Sequence, residues 1–248
     1  MTTGIVVALP EELRTLSKLP GYSLGQKIVK GSYAFVGQKI VVACSGAGPQ
    51  NAHSAAELLV AEGGVTRLIS WGCAAALNET LTPGDLILAD EVIDANNQII
   101  VIQSEWRNHA EHYLSQHTKV HKGRLVESEK IVSSSENKKL IQASTNGVIL
   151  DMESVAVARV ARHHNLPFLA IRAIADPVSM DLPKAIEFAL NDAGEVIMGK
   201  LLRHLACHPA ELPELVKMGI YFSAAKKTLE LVARHLPSVL KFDDTSNQ

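Results

Sequence analysis

The stretch "GVILDMESVAVARVA", residues 147–161, changes habit in the middle. Its opening, Gly147 to Leu150, is a short apolar run suited to a buried strand. From Ser154 to Ala161 it is rich in small and apolar residues and suits a helix. Asp151 and Glu153 stand at the junction, where an ordinary core would place no carboxylate. The stretch therefore raises a structural question and a chemical one: what the strand-to-helix unit belongs to, and what the acids hold.

Outward from that unit, apolar runs predict strands at 5–9, 32–36, 39–43, 67–71, 85–90, 99–102, 125–127, 148–150 and 168–175. Helical spacing predicts helices at 11–18, 51–62, 105–116, 136–143, 154–164, 183–190, 196–207 and 215–236. Several strands are continuously apolar, the habit of strands covered on both faces. The alternation predicts a three-layer α/β/α fold with a central mixed, twisted sheet. We expect one domain over 1–205 and a helical C-terminal extension over 206–248, with no internal repeat or linker.

The totals exclude several classes of function. Among 248 residues, 47% are hydrophobic and 20% charged, a globular composition. A net charge of −2 argues against a nucleic-acid partner. Three cysteines, Cys44, Cys73 and Cys207, share no metal-type spacing, and their low, odd number predicts a reducing, cytoplasmic setting. The first residues, "MTTGIVVALPEE", read as a first strand rather than a signal peptide, and no apolar run is long enough to span a bilayer. Charge is uneven: 196–242 holds seven basic and three acidic residues, +4, which leaves −6 for the remainder.

Ligands of open α/β sheets bind beyond the carboxyl ends of the strands. The residues just past each predicted strand are therefore informative: Glu11 and Glu12, then "CSGAGPQNA" with Gly46 and Gly48, then "GCAAAL", then "DMES", then Asp176-Pro177. Each has a plainer reading. Glu11 and Glu12 also suit a helix start, the two-glycine loop also suits a turn, and Asp176 before Pro177 also suits a strand end. Asp151 is better read as a helix N-cap. Glu153, beside Met152 where the helix enters the interior, resists such a reading. The histidine pairs His109/His112 and His117/His121 lack a carboxylate that would complete a ligand set and read as surface residues, and Trp71 reads as packing. No metal and no organic cofactor is expected.

In this order, "VVALPEEL" (6–13), "SGAG" (45–48), "GCAAAL" (72–77), "LDMESVAVARVA" (150–161) and "IRAIADP" (171–177) resemble the nucleoside phosphorylase and 5′-methylthioadenosine/S-adenosylhomocysteine nucleosidase superfamily. The similarity spans roughly 4–190. "SWGCAAAL" and the late "LNDAGEV…LLRHLACHPAELPELVKM" look most like the hopanoid-associated phosphorylases, the proposed adenosylhopane nucleosidases. The resemblance implies that Glu153 binds ribose hydroxyls with Met152 packed on the sugar, and that Asp176 is the acid for the departing purine. It implies that Cys73, Ala74, Ala75, Val132 and Ala175 line the base or substrate side, and that Gly46 and Gly48 form the anion or water loop. Glu12 matches the nucleosidase glutamate that orients water, where phosphorylases place arginine; a second phosphate-binding arginine is Ser70 here. Cleavage by water is thus favoured over phosphate.

The sequence departs from the family at Cys73, Ala74, Ala75 and Ala175, and "SSSEN" comes after Val132 where an aromatic often stacks on adenine. The implied substrate is an adenosine with a bulky apolar 5′ group, adenosylhopane in the first place, releasing adenine and ribosylhopane. The alternatives are phosphorolysis of the same bond and a non-catalytic nucleoside-binding protein. The resemblance also implies a homodimer or larger homo-oligomer. In the late helix, Leu215, Met218, Phe222, Ala225, Leu229, Val232 and Leu236 form one apolar face. That face suits packing on the body or a partner subunit; its basic surroundings also suit peripheral contact with an anionic membrane.

Overall fold

The computed structural model describes residues 1–19, 27–28, 31–36, 40–189 and 198–242. Its first half runs β1 (Thr3–Val7), α1 (Pro10–Thr15), β2 (Lys27–Ile28), β3 (Gly31–Val36), β4 (Ile40–Cys44), α2 (Pro49–Gly63), β5 (Arg67–Ala76), β6 (Leu86–Ile93) and β7 (Ile99–Val101). It continues with α3 (Ser104–Leu114), β8 (Val120–Glu127), α4 (Ser135–Thr145), β9 (Ile149–Asp151), α5 (Ser154–His163), β10 (Phe168–Asp176), α6 (Lys184–Ala189), α7 (Met198–Cys207) and α8 (Leu212–Val239). The "LNDAGEV" stretch, residue 39 and the predicted ends of the helices at 190 and 196–197 lie outside the described residues.

The strands form a mixed sheet whose central members β4, β1, β5 and β10 are parallel. Side chains alternate across it with the period of two that a strand imposes. Ile5 and Val7 of β1 join one core with Trp71, Trp106 and Ile171, while Val6 joins the other with Val41, Leu68 and Ile174. Helices α2 and α5 cover the second face through Ala52, Ala56, Leu59, Val157 and Val160. The first face is covered by α3 and by Ala225, Leu229, Val232, Ala233, Leu236 and Val239 of α8. The architecture is three-layer α/β/α. Trp71 is fully buried, its Nε1–H donating to Thr15 Oγ1 at 3.0 Å.

Two features differ from the sequence reading. The segment read as a loop after 67–71 continues as strand: β5 runs to Ala76, because Gly72–Ala75 pair with β10 on one side while Ala75 and Ala76 pair with β9 on the other. Cys73, Ala74 and Ala75 therefore sit on a strand. Second, β5, β10, β6, β8 and β9 pair in a closed ring. The small side chains from Gly72 to Ala76 suit a strand hemmed in on both edges. Of the histidines, His109 is half-buried with a ring nitrogen 3.0 Å from Ser238 O, and His121 is half-buried with Nε2 3.6 Å from Asp85 Oδ2, so the surface reading of both is corrected. Among the described residues no helix is long and apolar enough to cross a membrane.

Candidate active site

Because β1, β4, β5 and β10 are parallel, their carboxyl ends meet at one edge, and a cavity of about 300 Å³ opens there. Glu12, Met152, Glu153 and Asp176 line it, with Cys73, Ala74, Ala75, Val132 and Ala175. The loop glycines Gly46 and Gly48 are not among the lining residues, although Ala47 between them is. Residues from 8 to 222 thus contribute to one site.

Glu12 belongs to the first turn of α1, whose N-terminal amides need acceptors. Its carboxylate serves them and the sheet together. Oε2 accepts from the Ala8 and Leu9 amides at 3.1 Å each, and Oε1 accepts from the Cys73 amide at 2.8 Å. The same side chain therefore serves the helix start and lines the cavity. Burial raises its pKa, opposed by the nearby Arg172 and by those three amides. Gly72 has to be glycine here, since a Cβ would stand 2.5 Å from Glu12 Oε1. The Cys73 thiol is pushed up by burial and then by the Glu12 charge, which disfavours the thiolate.

Glu153 takes the N-cap position of α5. Its Oε1 accepts from the Gly48 amide at 2.9 Å. Gly48 has φ +98, a conformation open to glycine, so the two-glycine loop serves to aim an N–H at this carboxylate. Burial, reinforced by Asp151, pushes Glu153 up to about 7, against the pull of Arg172 and of the Gly48 amide. Asp151, expected at the N-cap, instead ends β9 two residues before it, and from there its Oδ1 accepts from the Glu153 and Ser154 amides at 3.2 and 3.1 Å.

Two buried cations behind the cavity were not foreseen. Arg172 is 1% exposed; its Nε lies 2.5 Å from Asp151 Oδ2, and its Nη2 donates to Ser70 Oγ at 2.6 Å and Ser154 Oγ at 2.9 Å. The signal was present, an arginine inside the apolar strand Phe168–Asp176. Lys138 of α4 is fully buried, and its Nζ donates to Asp176 Oδ1 at 2.7 Å. Nothing in "SENKKL" separates it from the exposed Lys139. Burial raises the Asp176 pKa, Lys138 opposes the rise, and Asp181 adds to it. Among the lining residues an aromatic side chain does occur, but on another element: Phe222 of α8, together with Leu182.

Residues 2–205 match the profile of the phosphorylase superfamily, most of the chain. The chain belongs to the phosphorylase superfamily. This superfamily member is 26% identical over 212 residues to the 5′-methylthioadenosine/S-adenosylhomocysteine nucleosidase of Staphylococcus aureus, covering 77% of the chain and 92% of the relative. Its fold matches that of the Helicobacter pylori 5′-methylthioadenosine/S-adenosylhomocysteine nucleosidase with a TM-score of 0.74 at 18% identity, over 97% of both chains. The futalosine hydrolase of Helicobacter pylori superposes with a TM-score of 0.73, also at 18% identity and over 97% of both chains.

As a superfamily enzyme it presents an acid-rich cavity. Among the described residues, Glu12, Asp151, Glu153 and Asp176 line it with a single lysine, Lys130. Such a site can bind vicinal hydroxyls, stabilise a developing cation and carry protons. Among the described residues no group of three or more His, Cys, Asp or Glu side chains is placed to hold a metal ion.

Proposed function

We propose that this enzyme hydrolyses the N-glycosidic bond of a 5′-substituted adenosine and releases adenine. The observation that carries the reading is that Glu12, Glu153 and Asp176, distant in sequence, line one cavity. N-glycosidic cleavage passes through an oxocarbenium-like sugar, and carboxylates near that cation stabilise the transition state more than the neutral ground state. In this reading Glu153 accepts from the ribose hydroxyls with Met152 against the sugar, Glu12 orients the attacking water and takes its proton, and Asp176 protonates the purine at N7. A purine anion leaves poorly, and general acid assistance of this kind is commonly worth about 10²–10⁴-fold.

Water is favoured over phosphate by charge. A carboxylate about 4 Å from phosphate costs roughly 4 kcal/mol per charge pair at an effective dielectric near 20. Arg172, beside Ser70, is occupied by Asp151 and lies behind the lining. The named relatives, a nucleosidase and a hydrolase, agree with this choice.

The finer assignment is a large apolar 5′ group, with adenosylhopane the first candidate and ribosylhopane the second product. Its support is the resemblance of the late sequence and the apolar lining contributed by Leu9, Ile131, Leu182 and Phe222. Leu212, Val216 and Ile220 of α8 are exposed, four residues apart on one helix face, with Lys217 next to Val216 in sequence. That arrangement suits peripheral contact with an anionic membrane, from which such a substrate would be drawn. A homo-oligomer also belongs to this reading.

The test is a panel of 5′-substituted adenosines graded by apolar size, assayed for free adenine with and without phosphate. Adenine release without phosphate, improving with the size of the 5′ group, is expected. A strict phosphate requirement with ribose 1-phosphate formed would replace hydrolysis by phosphorolysis. Release from none of the panel would favour a non-catalytic nucleoside-binding protein.

A further inference from the structure

Lys138 has no task in the hydrolytic chemistry, yet the fold has buried it completely against Asp176. An ammonium has three donors, and this one uses them on Asp176 Oδ1 at 2.7 Å, Met180 O at 2.8 Å and Pro177 O at 3.3 Å. Tying down the loop after β10 does not by itself require a charge. Two other bonds already join that loop to the start of α4: the Leu182 amide donates to Ser133 O at 2.8 Å, and the Ser135 amide to Asp181 Oδ1 at 2.6 Å. A neutral donor would complete the tie without the penalty of burying an ammonium. The charged groups facing Asp176 are Lys138 from α4 and Asp181 from its own loop; Lys130, Glu12, Asp151 and Glu153 line the same cavity.

We propose that Lys138 is the proton source behind Asp176, so that a lysine–aspartate pair, rather than a lone carboxylic acid, delivers the proton to the departing purine. This rests on the hydrolytic reading of the site. The ion pair and its neutral form, amine plus acid, hold the same protons and differ by one transfer along a 2.7 Å hydrogen bond. Water favours the ion pair; a base that covers the cavity removes water, penalises both charges and brings the neutral form within reach. The proton passes from Nζ to the Asp176 carboxylate, which turns about Cβ–Cγ and gives it to N7. The C1′–N9 bond breaks with its electron pair staying on the purine, which leaves neutral. Water adds to the sugar cation and its proton goes to Glu12. After release Glu12 returns that proton to solvent, and Lys138, left as an amine, takes one up. Lys138 acts only through Asp176 and is a positioning residue with a proton to give.

Without Lys138 the proton for N7 has to be one that Asp176 already holds, so the dependence on pH separates the two cases. The test is the pH profile of kcat for the full-length wild type, Lys138→Met and Lys138→Gln. Each is assayed on the best substrate of the panel and on its N7-methylated derivative, whose leaving group needs no proton. With the first substrate, Lys138→Met should stay within about 3-fold of wild type near pH 5 and fall by roughly 100-fold near pH 8. With the methylated substrate it should track wild type throughout. Lys138→Gln, which keeps a neutral donor toward the loop carbonyls, should behave the same way and serves if the methionine variant does not fold. An equal loss at every pH and on both substrates would reduce Lys138 to a structural part, and profiles superimposable on wild type would remove it altogether; either overturns the proposal while the hydrolytic reading stands. If the wild type releases base from neither substrate, the hydrolytic reading fails and takes this one with it.

Discussion

Glu153 is a carboxyl whose burial pushes it up to about 7, and that direction has a consequence for stability. A raised native pKa means that the folded chain binds a proton more tightly than the unfolded chain, so stability falls as pH rises from about 4.5 through about 7. The effect is roughly 3 kcal/mol for a group shifted this far. Glu153→Gln should flatten that part of the curve; urea midpoints at about pH 5 and 8 measure it, and an unchanged slope would show that the Glu153 carboxyl is not held in its protonated form. Asp176→Asn should lower kcat by about 10²–10⁴-fold with little change in fold, read by adenine release and circular dichroism. At this scale the sequence was legible where chemistry coincides with a junction. Glu12, Glu153 and Asp176 each stand within a few residues of a strand end. Arg172 was marked by its place inside an apolar strand, though not its partner 21 residues away, whereas Lys138 was not legible, because its partner lies 38 residues away and the same side chain suits solvent equally well.

At the scale of elements, α8 has two unlike halves. Leu229 and Leu236 are fully buried in the sheet-facing core, whereas Val216 and Ile220 are more than half exposed. Leu229→Ala should destabilise by about 2–5 kcal/mol through the cavity it leaves. Ile220→Ala should stay within about 0.5 kcal/mol. Equal effects in denaturant titrations would contradict this division. The β9–α5 junction is held instead by the Arg172–Asp151 pair. Arg172→Met leaves Asp151 buried without its partner and should cost about 3–5 kcal/mol, part of it recovered in the Arg172→Met/Asp151→Asn double variant. The periodicities of β5 and α8 announced a strand and an amphipathic helix. They could not announce that β5 continues through Gly72, since that depends on edges offered by β9 and β10.

For the whole molecule, the superfamily match ends at residue 205, yet the core does not. Ala225, Leu229, Val232, Ala233, Leu236 and Val239 close the face that Ile5, Trp71 and Leu88 present. A chain truncated after residue 205 would expose that face and should not fold to a native near-ultraviolet spectrum, whereas the full chain should unfold in one cooperative transition. A truncated chain with native near-ultraviolet signal and a sharp transition would show that the late helix is dispensable to the core.

The class of fold, the three carboxylates worth watching and the family resemblance could all be read from the order of residues, because apolar period and junction chemistry are local properties. It took the folded chain to show that those acids share one cavity, that five strands close a ring, that Phe222 lines the cavity from α8, and that Arg172 and Lys138 stand buried behind it. Burial of a charge, and the company it keeps there, is a property of chain segments brought together from afar, and neither composition nor periodicity carries it.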